Sequence, residues 1–118
     1  MSITRTIGDI EAKDIEFGGR PNCIITDPEI CKYKLNGKED FIILGCDGIF
    51  EKLDSEEVVE VAWKAIRKTS TNVHDACGNA VSSILKTSMM KKSTDNVTAI
   101  LISFSDLGFG NIQEYRSV

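Results

Sequence analysis

Hydrophobic and polar positions divide the chain into a strand-like first part, a helical middle and a last strand. The run Phe41–Cys46 is almost wholly apolar and predicts a strand that is buried on both faces. The run Val97–Phe104 has the same character and predicts another buried strand. Between these runs, apolar residues recur every three or four positions, which is typical of amphipathic helices. Because strands and helices are segregated rather than alternating, the pattern predicts an α+β fold with an antiparallel or mixed sheet.

Two helices are predicted between the apolar strands. The first begins at Asp54 or Ser55, and with Asp54 as the N-cap, Glu57 stands where a capping box closes. The second helix begins after Thr71 or Asn72 and has the more regular apolar face. The apolar positions on the two faces are Val58, Ala62, Ala65, Ile66, Val73, Ala76, Cys77, Ala80, Val81, Ile84 and Leu85, with Val59 and Trp63 beside the first face.

The stretch before the first buried strand predicts further strands and a loop. Residues 1–9 suit a strand that runs into a turn, and residues 10–21 are polar and suit a loop. Two strand-like runs follow at residues 23–25 and 30–35. The dipeptide Asn36-Gly37 is a hairpin signal, so the second of these runs is expected to pair with the first buried strand.

Composition is that of an ordinary globular domain and excludes some classes of partner. The chain has 118 residues, of which 42% are hydrophobic and 27% are charged. The formal net charge is −4, so binding to nucleic acid through bulk charge is not expected. No apolar run approaches the roughly 20 residues of a membrane-spanning helix, and the start shows no signal-peptide pattern. We therefore expect neither a nucleic-acid nor a membrane partner.

The cysteines indicate the compartment. Cys23, Cys31, Cys46 and Cys77 are too far apart along the chain to form a zinc knuckle. We interpret them as reduced, mostly buried thiols of an intracellular protein of the cytoplasm or nucleus, with disulfides as the alternative.

Two aspartates occupy positions where a strand ends or begins. Asp47 follows the first buried strand and precedes Gly48, and Asp95 lies just before the last strand. A carboxylate at a strand end is held by the sheet and still reaches solvent, and glycine lets a ligand or backbone approach closely. Two such carboxylates on neighbouring strands would form a hard-oxygen site for Mg²⁺ or Mn²⁺. On residue types alone, a plain turn at Asp47-Gly48 stays open as the alternative.

Five segments within residues 2–104 carry a family resemblance. They are Thr4–Asp9, Asp27–Ile30, Asp40–Glu51, Ser55–Val59 and Ser93–Thr98. In this order and at this spacing they resemble successive motifs of the type 2C protein phosphatases, a family of metal-dependent serine/threonine phosphatases. The match departs at Phe50 and Glu51, where the family usually has tryptophan and aspartate, but each replacement keeps the apolar or acidic character.

The resemblance implies a fold, a reaction and a site. The fold is a four-layer α-β-β-α sandwich with antiparallel sheets, to which this chain contributes strands and one helical pair. The reaction is hydrolysis of phosphoserine and phosphothreonine in phosphorylated proteins by metal-activated water, without a phosphoenzyme. Asp47 and Asp95 match the family's metal-binding aspartates, so the resemblance implies that both are catalytic residues and ligands of a binuclear Mn²⁺ or Mg²⁺ centre.

The family domain is usually more than twice as long as this chain. Its N-terminal part carries an Asp-Gly-His-Gly-type motif and a phosphate-binding arginine, whereas the one histidine here, His74, lies in a predicted helix. The resemblance therefore implies that residues 1–118 are the C-terminal portion of a single phosphatase domain, with a surface tail at residues 106–118. Because half a binuclear centre lacks fixed geometry for both ions, we expect the isolated chain to be inactive. We also expect it to self-associate through exposed apolar sheet surface.

Some alternatives stay open. A phosphatase-like domain without activity could serve as a binding or regulatory module. Arg5 is either a phosphate ligand or, more simply, a structural arginine that pairs with a nearby acid such as Asp9. The basic cluster of Lys86, Lys91 and Lys92 suits either attraction of phosphorylated substrates or a solvated helix end.

Overall fold

A computed structural model describes residues 4–69 and 72–109. Its elements in chain order are α1 (Ile10–Lys13), a 3-10 helix (Ile15–Phe17), β1 (Phe41–Gly45), α2 (Asp47–Phe50), α3 (Ser55–Lys68), α4 (Val73–Met90) and β2 (Ala99–Ser103). The described residues thus combine four α-helices with one two-stranded antiparallel sheet, which confirms the α+β class. The chain divides into two units, one up to Lys34 and one from Leu35 onward.

The first unit contains short helices and turns where strands and a loop were predicted. The predicted loop at residues 10–21 instead includes α1 and the 3-10 helix. The predicted strand in residues 1–9 is wrong for the described part, since a single bridge joins Arg5 to Ile25 there. A strand needs a neighbouring strand for its backbone hydrogen bonds, and the described residues of this unit provide only that bridge. At the end of residues 1–9 the chain bends at Ile7, and Gly8 and Asp9 have left-handed φ values of 78° and 56° just before α1.

The predicted hairpin around Asn36-Gly37 is also wrong. A local turn does form, because Gly37 has a φ of 82° and the Glu39 carboxylate accepts hydrogen bonds from the amides of Asn36 and Gly37. Neither residues 23–25 nor residues 30–35 form a strand in the described chain. The strand that follows the turn pairs with β2 instead, in a register that sets Phe41 opposite Ser103.

The β1–β2 sheet has one covered face and one exposed face. Phe41, Ile43 and the alternate residues of β2 pack against the buried cluster formed by the helices. The opposite face carries side chains that are about half exposed, namely Ile42 at 42%, Leu44 at 50%, Ile100 at 54% and Ile102 at 45%. The prediction that the first strand is buried on both faces is therefore wrong, and the last strand is likewise only partly buried, because the described residues cover only one face of the sheet.

The helical pair matches the sequence prediction closely. Asp54 caps α3 and forms the predicted capping box with Glu57, and the Asn72 side chain caps α4 by accepting a hydrogen bond from the amide of Asp75. The buried cluster is apolar and consists of Ile49, Leu53, Val58, Ala62, Ala65, Ile66, Ala76, Ala80 and Ile84. Trp63 lies at the edge of this cluster, where its ring is 5.3 Å from that of Phe41.

The cysteines, His74 and the C-terminal tail agree with the sequence predictions only in part. All four cysteines are free thiols, but the prediction that most are buried is wrong, because Cys23 and Cys31 are exposed and Cys46 and Cys77 are only partly buried. His74 is an exposed helix residue, as expected. Of the predicted tail, residues 110–118 lie outside the described residues, whereas Leu107 and Phe109 pack against the buried cluster. Among the described helices, none has the length and apolar character needed to cross a membrane.

Candidate metal centre

The sheet register brings the two candidate segments together. Beyond the last paired position of β1, the amide of Cys46 donates to the carbonyl of Thr98 at 3.2 Å, which continues the pairing toward the site. A Cβ atom placed on Gly48 would overlap the carbonyl oxygen of Asn96 and would lie 3.4 Å from the Cβ of Asp95. The turn that contains Asp47 is therefore packed directly against the segment that contains Asp95, and only glycine permits this approach.

Each aspartate is exposed, and its side chain is oriented by the backbone amide of the next residue. The Asp47 Oδ1 atom accepts a hydrogen bond from the Gly48 amide at 3.0 Å, and the Asp95 Oδ1 atom accepts one from the Asn96 amide at 2.7 Å. The Oδ2 atom of each carboxylate accepts no hydrogen bond from the described residues. One oxygen of each group thus fixes the side chain, and the other is available to a ligand.

Cys46 joins the two segments from the strand side. Its thiol donates to the carbonyl of Asn96 at 3.0 Å, and its sulfur accepts a hydrogen bond from the amide of Thr98 at 3.2 Å. This residue was placed in the apolar pattern of the strand, so the sequence did not indicate its contacts across the site. The thiol satisfies two backbone groups where the regular ladder of β1 and β2 ends.

Two serines that sequence reasoning missed hold Gly48 from the helix side. The hydroxyl groups of Ser88 and Ser93 each donate to the Gly48 carbonyl oxygen at 2.7 Å. Ser88 is 0% exposed and belongs to the buried stripe of α4, one helical turn after Ile84. A polar residue that continues an apolar stripe is a signal in the sequence that a buried hydrogen bond is required there.

The predicted basic cluster near Asp95 has a partly structural role. Lys91 donates a hydrogen bond to the Glu57 carboxylate and so ties the end of α4 to the start of α3. This bond, with a further one from the Asp54 amide, lowers the pKa of Glu57 from its ordinary value of 4.5. Lys86 and Lys92 remain exposed. In the first unit, Arg5 pairs with Glu29 at 2.7 Å rather than with Asp9, which corrects the pairing expected from the sequence.

The donor set fits part of a hard-cation site. Mg²⁺ and Mn²⁺ prefer carboxylate oxygens, and Mg²⁺ commonly takes one or two protein carboxylates while keeping several waters. Two solvent-exposed carboxylates meet that requirement, and the glycine between the segments leaves the approach open. Within the described ranges, no cluster of three or more histidine, cysteine, aspartate or glutamate residues could hold a metal ion. Among the described residues, Asp47 and Asp95 are therefore the candidate carboxylate ligands at this end of the sheet.

Comparison with known proteins identifies the family. The model of the family described as protein phosphatase 2C matches residues 1–97. A probable protein phosphatase 2C 13 of Arabidopsis thaliana is 33% identical over 107 residues, which cover 91% of this chain and 26% of that protein. A probable protein phosphatase 2C 2 of Oryza sativa subsp. japonica is 30% identical over 112 residues, which cover 94% of this chain and 28% of that protein.

A human relative gives the same result. Protein phosphatase 1B of Homo sapiens is 28% identical over 107 residues, which cover 90% of this chain and 21% of that protein. The chain thus spans about a quarter of the length of these relatives. No solved structure matches it. Because the family match covers residues 1–97, which are most of the chain, the chain belongs to the protein phosphatase 2C family.

Proposed function

We propose that Asp47 and Asp95 are ligands of the divalent-cation centre of a protein serine/threonine phosphatase. The complete protein would hydrolyse phosphoserine and phosphothreonine in protein substrates, with Mn²⁺ or Mg²⁺ as the cation. The observation that carries this proposal is the close approach of Gly48 to Asp95 and Asn96, which brings two exposed carboxylates to one end of the sheet. Membership of the protein phosphatase 2C family supports the same reaction class.

The residues of the chain have separate tasks in this proposal. When bound, a pair of divalent cations neutralises phosphate charge and activates water. The carboxylates of Asp47 and Asp95 would bind cations through the oxygens that do not accept from the Gly48 and Asn96 amides. Gly48 permits the two segments to touch, and exposure of both aspartates leaves the site open to a phosphorylated side chain of a protein substrate.

Manganese binding tests the site directly. We would titrate Mn²⁺ into the 118-residue chain, measure free Mn²⁺ by electron paramagnetic resonance, and repeat this with Asp47→Asn/Asp95→Asn. A chain with Asp27→Asn/Asp106→Asn makes the same change of charge and is the control. We expect the control to bind like the unaltered chain and the site variant to lose binding. Equal binding by all three chains, or none by the unaltered chain, would contradict the proposal and favour a non-catalytic binding module.

The isolated chain is proposed to lack phosphatase activity. Two carboxylates by themselves do not define the positions of two ions and of the phosphate, and catalysis depends on that geometry. We expect no hydrolysis of a phosphothreonine peptide above background at saturating Mn²⁺. Turnover that disappears in Asp47→Asn would refute this part of the proposal.

The exposed face of the β1–β2 sheet is proposed to be the inner face of a sandwich. In the complete protein a second sheet would cover it, which gives the four-layer arrangement expected from the family. In the isolated chain the same face would promote self-association. We expect the sedimentation coefficient to rise with concentration, and Ile102→Lys to suppress that rise while Ile7→Lys, at a 91% exposed position of the first unit, does not. A monomer at all concentrations would exclude self-association.

A further inference from the structure

The backbone amides at the end of α2 and just after it donate to the carbonyls on either side of Gly48 and not to that of Gly48 itself. The Glu51 amide donates to Asp47 O at 2.8 Å, and the amides of Lys52 and Leu53 both donate to Ile49 O at 3.0 Å. The carbonyl of Gly48 lies between those of Asp47 and Ile49. Among the described residues, no backbone amide donates a hydrogen bond to it. A buried carbonyl without a partner is unfavourable, so this group requires donors from elsewhere in the fold.

Two hydroxyl groups meet that requirement. Ser88 in the last turn of α4 and Ser93 in the segment after it each donate to Gly48 O at 2.7 Å, which fills both acceptor positions of the carbonyl. Gly48 is itself buried, and Ser88 is fully buried beneath it. We call this arrangement the serine clamp.

We infer that Ser88 and Ser93 are positioning residues for the carboxylates of Asp47 and Asp95, an inference that rests on the proposed function. A glycine backbone has unusual freedom, and Gly48 directly follows Asp47, so an unrestrained Gly48 would let that aspartate change its position. The serine clamp restrains the Gly48 backbone by holding its carbonyl oxygen. Ser93 also precedes Asp95 by two residues, so its hydrogen bond links the two aspartate-bearing segments to each other.

The clamp and the strand-side contacts hold the site from opposite sides. The Cys46 thiol binds the Asn96 carbonyl from β1, and the serines bind Gly48 from α4 and the segment that follows it. The spacing of the two carboxylates is therefore determined by contacts that neither carboxylate makes itself. Partners of this kind commonly affect metal affinity strongly although they do not touch the metal.

The test uses the full 118-residue chain with Mn²⁺ as the probe. The variants are Ser88→Ala and Ser93→Ala, with Ser93→Thr to restore a hydroxyl and Ser82→Ala as a matched control on an exposed position of α4. Free Mn²⁺ is measured by electron paramagnetic resonance, and the thermal midpoint is recorded for every variant. We expect each clamp variant to weaken Mn²⁺ binding by about 10-fold. We expect Ser82→Ala to bind like the unaltered chain and Ser93→Thr to bind nearly as well.

A purely structural role predicts a different result. In that case the thermal midpoint of Ser88→Ala or Ser93→Ala falls while the fraction that remains folded binds Mn²⁺ with unchanged affinity, and the inference is overturned. Lower affinity in folded clamp variants, with the control unchanged, supports positioning.

The failure of the clamp is distinguishable from the failure of the proposed function. If the unaltered chain binds no Mn²⁺, the proposed function fails and the positioning role fails with it. The amide resonances of Gly48 and Asn96 then decide whether the clamp exists at all. They are expected to shift in the Ser88→Ala and Ser93→Ala variants and to stay in place in Ser82→Ala, whereas unchanged resonances would refute the clamp itself.

Discussion

The two units of the chain contain similar apolar residues but use them differently. Between residues 4 and 34 no residue is buried, and Ile15 and Ile30 are 70% and 75% exposed. In the second unit, Ile66 and Ile84 are 2% and 0% exposed and lie in one cluster. The difference shows that an apolar pattern becomes a buried core only where a second element covers it.

The type of element explains the contrast. A helix forms its backbone hydrogen bonds within one segment, so α3 and α4 need each other only to cover their apolar faces. A strand needs another strand for its hydrogen bonds, and in the described part of the first unit, residues 4–34, the bridge between Arg5 and Ile25 is the only strand-like pairing. Matched substitutions in the two units can therefore test whether the second unit alone carries the stability.

Truncation of a buried isoleucine should give the largest effect. Ile84→Ala removes a fully buried side chain from α4 and should lower the free energy of unfolding by about 2–5 kcal/mol. The same change at Ile30, which is 75% exposed, should alter it by less than about 0.5 kcal/mol. Urea unfolding followed by circular dichroism measures both. Similar losses in the two variants would mean that the first unit also has a core.

Adding a methyl group to Gly48 should give the next largest effect. The new Cβ would overlap the carbonyl of Asn96, so Gly48→Ala should cost about 1–3 kcal/mol through forced movement of the backbone. Gly78 lies inside α4 with no atom within 4 Å of a new Cβ, so Gly78→Ala should instead stabilise the chain by about 0.5–1 kcal/mol. The thermal midpoint should fall in Gly48→Ala and rise in Gly78→Ala. Stabilisation by Gly48→Ala would show that the two segments of the site do not touch.

Loss of a helix cap should lower the stability by less, and the loss should be measurable in the second unit and absent in the first. The Asp54 side chain accepts a hydrogen bond from the Glu57 amide at 2.8 Å at the start of α3, so Asp54→Ala should cost about 1 kcal/mol. Asp14 makes the equivalent contact with the Glu16 amide at 2.9 Å, but it caps a three-residue 3-10 helix with no buried residue. Asp14→Ala should therefore leave the urea midpoint unchanged. A shift as large as that of Asp54→Ala would contradict the comparison.

The smallest effect is the pH dependence that Glu57 contributes. Hydrogen bonds from Lys91 and from the Asp54 amide lower its pKa from the ordinary 4.5, so the folded chain binds this proton more weakly than the unfolded chain. The contribution to stability is therefore present above pH 4.5 and is lost as the pH falls through the lowered value. Glu57→Gln should flatten this part of the curve of midpoint against pH, with Glu11→Gln as the control of equal charge. An unchanged curve in Glu57→Gln would show that the pair does not contribute.

The sequence predicted the helical part of the fold best. The capping box at Asp54, the Asn72 cap and the buried stripe that contains Ala76, Ala80 and Ile84 all follow from residues within a few positions of one another. The runs Phe41–Cys46 and Val97–Phe104 were also predicted as strands and contain β1 and β2, but their pairing was not predicted. A hairpin signal at Asn36-Gly37 identifies a turn without determining whether both flanking runs become strands.

The candidate site shows the same division. Asp47 and Asp95 were singled out from their positions at strand ends and from the family motifs, and the structure places their segments in contact. Ser88 and Ser93 were missed because a serine hydroxyl in a sequence has many possible partners, and their shared partner, Gly48, lies 40 and 45 residues away.

The sequence by itself determined the two long helices α3 and α4, their candidate caps, the two candidate aspartates and the family. All of these depend on local spacing or on short motifs, which can be recognised without knowledge of the tertiary structure. Only the tertiary structure decided that β1 pairs with β2, that one face of this sheet stays exposed, and that the carbonyl of Gly48 receives two serine hydroxyls. These contacts join residues far apart along the chain, and they form only when packing of the helices supplies enough free energy to offset the entropy of closing the intervening segments.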